Sequence, residues 1–152
     1  MYEPDLTQPS PCTIDPDIGR CIAYRPGHQM HCIHAKKTGE EPWGWREGVI
    51  ASMTPDGWLE IDYTREPGHV VAFHHVDLTA LLAPGDTVRV HEGYHVLEGR
   101  VGWINIWIGS GLGPVPEPAN PTLWRGEMSV PVTDLSTGRA IPIDRRSIPG
   151  DR

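Results

Sequence analysis

The residues best equipped for chemistry are a run of soft ligands near the N-terminus, Cys21…His28-Gln29-Met30-His31-Cys32-Ile33-His34, with Cys12 upstream. Zinc takes thiolate sulfur and imidazole nitrogen in tetrahedral sets, and a short spacing lets one loop supply two of them. The residue types suit zinc, but the run holds no Cys-x-x-Cys pair and no second ligand pair at a standard distance. His69, His74 and His75 are the histidines that the fold could bring near. Cys21, His28, His31, Cys32 and His34 are the expected ligands if a metal binds. Zinc is then the one candidate cofactor, and the chain is otherwise expected to need none. Adjacent His74 and His75 point to opposite faces of a strand, so both would not serve one site from there.

His91-Glu92-Gly93-Tyr94-His95 spells the HExxH signature of zinc proteases. That chemistry needs a helix, because only helical spacing puts residues i and i+4 on one face to share a metal. The residues before it alternate as a strand does, through Val88 and Val90. Gly93 lies inside the motif and Gly99 and Gly102 follow closely. A helix would lose about 1 kcal/mol at each internal glycine. The Gly and His that extend the metzincin form are replaced by Glu98 and Val101. The two histidines are therefore expected to flank a β-turn.

No nucleophile stands in a recognisable setting. Ser110, between Gly109 and Gly111, lacks the strand–elbow–helix pattern of hydrolases. Gly109 to Gly113 lacks the Lys-Ser/Thr ending of a phosphate loop. Glu60 and Asp62 share one strand face, which reads as solvated. The expectation is a protein that is not an enzyme.

The elements that must carry these residues are β-strands. Glycine and proline number 17 and 16 in 152 residues, spread without a repeat period, which suits many short strands and turns. The formal charge of −7 disfavours the basic surface that nonspecific nucleic-acid binding needs. Three cysteines, an odd number, with no export signal fit a reducing compartment. The longest apolar run, 101–108, is far too short to cross a bilayer. The expected location is the cytoplasm or a virion, without a secretory signal and without a membrane.

Residues 1–18, with Pro4, Pro9, Pro11 and Pro16, read as an extended Pro-rich N-terminal arm. A first barrel is expected over 19–82. It opens on the strand 20–24, carries a long polar loop over 25–44, and continues with a hairpin, 45–52 and 58–63, across the turn Thr54-Pro55-Asp56-Gly57. A second barrel over 84–148 repeats that order with a Gly/Pro-rich insertion at 109–121, and 149–152 is a tail. The fold class is thus all-β, with two tandem small barrels.

Gly85-Asp86-x-Val88-x-Val90, Gly93 and Leu97-Glu98-Gly99-x-Val101 resemble the KOW motif, the first hairpin of SH3-like barrels in transcription elongation factors and ribosomal proteins. The resemblance covers residues 85–104. It implies SH3-like barrels and, for function, a nucleic-acid- or ribosome-associated binding protein.

Trp103-Ile104-Asn105-Ile106-Trp107-Ile108 alternates. The isoleucines are expected to fill the core, leaving Trp103, Asn105 and Trp107 on an outer face beside the loop that holds Leu112, Pro114, Pro116 and Pro118. Those seven residues are the expected partner-binding surface. The leading expectation is a non-catalytic structural or adaptor subunit of a larger assembly whose partners are other protein subunits, with a bacteriophage head–tail connector or capsid-associated component as the concrete case. The KOW-type reading is the first alternative and a small zinc protein the second.

Overall fold

The turn at Thr54-Pro55-Asp56-Gly57 forms as its residues dictate. Thr54 closes it through backbone and hydroxyl bonds with Trp58, and Gly57 takes φ +104°, which its missing Cβ permits. The turn joins β3 (Trp45–Met53) to β4 (Trp58–Tyr63), the hairpin expected from the alternation of Leu59, Ile61 and Tyr63. The computed structural model describes residue 9, residues 11–119 and the backbone of two later strands.

Before that hairpin come β1 (Ile14–Asp15) and β2 (Arg20–Cys21), which pair in a separate two-stranded sheet, then α1 (Cys32–Glu40). After it come β5 (His69–Phe73), β6 (Thr87–His91), β7 (Val96–Gly99), β8 (Gly102–Asn105) and β9 (Trp107–Ser110). Seven strands form one antiparallel sheet in the order β8-β7-β6-β3-β4-β5-β9. Its first and last members are consecutive in the chain, separated only by Ile106, whose N–H donates to the His95 carbonyl at 2.9 Å. The sheet therefore curls into a half-barrel, helped by register irregularities at Ile50/Ser52 and Val71/Ala72. β10 (Val132–Asp134) runs parallel to β8 and pairs with β11 (Arg139–Ile141).

The fold is mostly β, but it is not two tandem barrels. β3, expected in the first barrel, pairs through its first half with β6, expected in the second, from Trp45↔His91 to Val49↔Thr87. The stretch expected to link domains is a turn inside the sheet: Gly85 N–H donates to the Ile50 carbonyl and Ile50 N–H to the Asp86 carbonyl. One core draws on both halves, with Ile50, Leu59 and Ile61 packed with Val88, Leu97 and Ile104. Similar short strands appear in each half because both halves supply strands to one sheet, not because each closes its own barrel.

Two further expectations change. Residues 25–44 are not a continuous polar loop, because α1 occupies 32–40. His31 caps it, its Nδ1 accepting the Ile33 N–H at 3.1 Å. Only Ala35 and Thr38 are buried, so the helix leaves a faint apolar signal; Ala35 packs with Val96 and Trp103. The expected insertion at 109–121 also begins too early, since Gly109 and Ser110 belong to β9. Residues 1–8, 10, 120–131, 135–138 and 142–152 lie outside the described residues, and with them half of the expected arm, the end of the insertion, the closing turn of the expected second barrel and the tail.

Candidate metal centre

Cys12, Cys21, His28 and His75 meet in space although their numbers do not suggest it. Their ligand atoms all lie within 4.8 Å of one another. Three local devices bring them together. First, the antiparallel β1–β2 pairing, with Ile14 opposite Cys21 and Ile22 N–H bonded to the Thr13 carbonyl at 2.8 Å, folds Cys12 back toward Cys21. Second, a turn at Arg25–His28 presents His28, with Gly27 at φ +86°. Third, the His75 N–H donates to the Gly27 carbonyl at 2.9 Å, which docks that turn on the end of β5. A Cβ on Gly27 would press to 3.2 Å from the Phe73 carbonyl oxygen and 3.3 Å from Trp107 Cβ, so the approach requires glycine.

Cys12 Sγ lies 3.3 Å from His75 Nδ1, and Cys21 Sγ lies 3.5 Å from His28 Nδ1. A tetrahedral zinc with ordinary bond lengths sets sulfur–nitrogen edges of about 3.6 Å and nitrogen–nitrogen edges of about 3.3 Å. The observed spacings suit one ion bound by all four residues. Two thiolates and two neutral imidazoles would also bring a divalent cation to charge neutrality, which suits a partly buried site. Four protein ligands leave no position for substrate, the pattern of a structural centre.

Partial desolvation, then the bond and charge of neighbouring Cys21, push the Cys12 thiol up, an opposition to the thiolate form that a bound cation would have to offset. Burial, then His28, holds His75 below the ordinary histidine range, favouring the neutral ligating form. His74 stands behind the site with its ring centroid 4.9 Å from that of His75. Burial and His75 bring its pKa down to about 3, and its Nδ1 accepts the Val76 N–H.

Asn105 positions the centre. Its side-chain amide donates to the carbonyls of Arg25 and Gln29 at 3.0 and 2.9 Å, clamping the turn that carries His28. Gln29 in turn donates to the Cys21 carbonyl at 2.7 Å.

Of the five expected metal ligands, Cys21 and His28 join the cluster. His31 caps α1, Cys32 lies exposed on that helix, and His34 bonds the Tyr94 carbonyl, so α1 carries these three away. The upstream Cys12 and the downstream His75 replace them. No standard spacing could reveal the set: its members stand at 12, 21, 28 and 75, and their union depends on a two-residue strand pairing and a loop docked on a distant strand.

The HExxH stretch is a turn between β6 and β7. His91 Nε2 faces the Glu41 carbonyl at 2.9 Å, and His95 takes φ +58°. Glu92 turns inward and accepts from Arg46 (2.7 Å), the Tyr63 hydroxyl (2.7 Å) and the N–H groups of Leu112 and Gly113. This buried carboxylate, noticed in the sequence only as part of the HExxH match, latches the segment at Leu112–Gly113 to the sheet. Burial, then Glu92, pushes the Tyr63 phenol far above its ordinary range.

The expected partner surface is rearranged. Alternation holds, with Ile104 and Ile106 in the inner core. The opposite face is not open surface, because Trp103, Asn105 and Trp107 are 2 %, 2 % and 6 % exposed. Trp103 lies under α1 beside Ala35, and Trp107 lies against Trp58 and the Gly27 turn. Leu112, Pro114 and Pro116 are exposed, and Pro118 is half-buried.

No family model, curated protein or solved structure matches this chain.

Proposed function

We propose that this chain is a non-catalytic adaptor module whose N-terminal segment is held to the half-barrel by one structural zinc ion on Cys12, Cys21, His28 and His75. The observation that carries this reading is the meeting of four ligand atoms within 4.8 Å, from two sequence-distant parts of the chain. The segment needs such a staple. Ile14, Ile18, Ile22 and Tyr24 are all exposed, so residues 11–24 bury little apolar surface of their own. Metal binding then supplies folding free energy that packing does not. The same exposed side chains, concentrated on the metal-held hairpin, are the surface offered to a protein partner. That keeps the adaptor reading but moves its interface from the tryptophans to the hairpin. The −7 charge weighs against a phosphate backbone as the partner.

The test is metal analysis of protein purified without chelator, followed by recovery of protein partners after nuclease treatment. Wild type should carry about one zinc per chain, and Cys21→Ser or His75→Ala a small fraction of that. Ile14→Ser/Ile18→Ser should keep its zinc and lose the partner. Wild type purified with well under one zinc ends the metal reading. Undiminished partner recovery by the double serine variant ends the hairpin interface.

A further inference from the structure

We propose that Cys12 and Cys21 are also a modification site, oxidised by a peroxide to a disulfide that expels the metal. The inference rests on the zinc reading above and adds a chemical step to it.

The pair is asymmetric in a way that suits the step. Cys12 is exposed while Cys21 is buried. The β1–β2 pairing folds Cys12 back on Cys21 and keeps their sulfurs within 4.8 Å, a short approach from a disulfide bond of about 2.05 Å. Zinc keeps both sulfurs as thiolates, the nucleophilic form. A dissolved oxidant therefore reaches Cys12 first, and Cys21 lies close behind it to resolve the product.

The chemistry balances. Cys12 thiolate attacks one peroxide oxygen, the O–O bond breaks, and a sulfenic acid and hydroxide form. Cys21 thiolate then attacks Cys12 Sγ, the S–S bond forms, and the sulfenic oxygen leaves as a second hydroxide. Two thiolates have lost two electrons, and hydrogen peroxide has gained them. Zinc keeps only His28 and His75 and dissociates. The Gly27 turn then loses its metal tie to β5 beside Trp107, which makes tryptophan fluorescence a reporter. A dithiol reductant with added zinc reverses the change.

Cys32 supplies the internal control, since it is also exposed but sits on α1 beside His31, outside the cluster. The experiment treats the zinc-loaded Cys32→Ser variant, with wild type in parallel, with hydrogen peroxide. It follows zinc release with a chromogenic chelator and maps the product by non-reducing digestion. Trypsin cleaves after Arg20, between the two cysteines. Arg25 precedes Pro26, so the second peptide runs to Lys36 and would contain Cys32 in wild type. The expected result is release of about one zinc per chain, in step with a peptide linked through Cys12 and Cys21, and recovery with dithiothreitol and zinc. Zinc that stays bound under peroxide, or leaves only as sulfinic acid accumulates without the linked peptide, overturns the switch and leaves the metal centre standing. Protein that holds no zinc before peroxide is added overturns both.

Discussion

Glu92 shows what one buried side chain can decide. Its carboxylate gathers Arg46, the Tyr63 hydroxyl and two backbone N–H groups, and a Cβ on Gly111 would overlap it. Arg46 also reaches the Gly113 carbonyl and pairs with Glu66, so the guanidinium ties two loops to β3. Removing the carboxylate would leave the Tyr63 hydroxyl without its acceptor, two N–H groups unbonded, and the mostly buried guanidinium with only Glu66 and the Gly113 carbonyl. Glu92→Ala should therefore lose about 3 kcal/mol or more of stability, read as a lower denaturant midpoint. Zinc content should stay unchanged, because no ligand touches this network. Equal stability in the variant would show that the latch is not needed.

At the level of elements, the β1–β2 hairpin and the half-barrel are held in different ways. The sheet has a continuous apolar core and ladder bonds along every strand. The hairpin has two-residue strands, the Asn105 clamp, the His75–Gly27 bond and, on the reading proposed above, the metal. Chelation should consequently act locally. With EDTA, amide hydrogen exchange should speed by tenfold or more through residues 12–28, while β3, β4 and β6 keep their protection. Uniform loss of protection across the sheet would mean that the metal holds the whole fold instead. α1 is a third case, with Ala35 against Trp103 and two lysine–glutamate pairs near the surface at its far end, which add little.

The whole molecule carries an acid sensitivity independent of any metal. Burial holds His34, His91 and His95 below the ordinary histidine value of 6.5. The unfolded chain therefore takes up protons near pH 6.5 that the folded chain refuses. Stability is fully present above that value and falls as pH drops below it. In EDTA, the urea midpoint at pH 5.5 should lie below that at pH 7.5, and His91→Gln should flatten the difference. A midpoint independent of pH over this range would show that the folded state protonates these rings as readily as the unfolded chain does.

Much of the sheet was legible because its signals are local. Alternation in 58–63, 87–91 and 103–108 fixes which side chains face inward, and Pro55-Asp56-Gly57 fixes a reversal. The alternation before His91, with Gly93 inside the motif and Gly99 and Gly102 after it, disfavours a helix, so the HExxH turn was also readable from the local sequence. The sequence likewise determined that all three cysteines lie before residue 35 together with three of the eight histidines, and hence that a soft metal was a candidate. Tertiary structure alone decided the rest. Whether β3 closes on its own half or pairs with β6 depends on ladder bonds between strands about forty residues apart, which period-two patterning does not encode. Whether Trp103 and Trp107 meet solvent depends on α1 and the Gly27 turn lying over them. The identity of the four ligands depends on the same docking: only when that turn binds the end of β5 do Cys12, Cys21 and His28 find His75, because a metal site is set by angstroms in space and not by spacing along the chain.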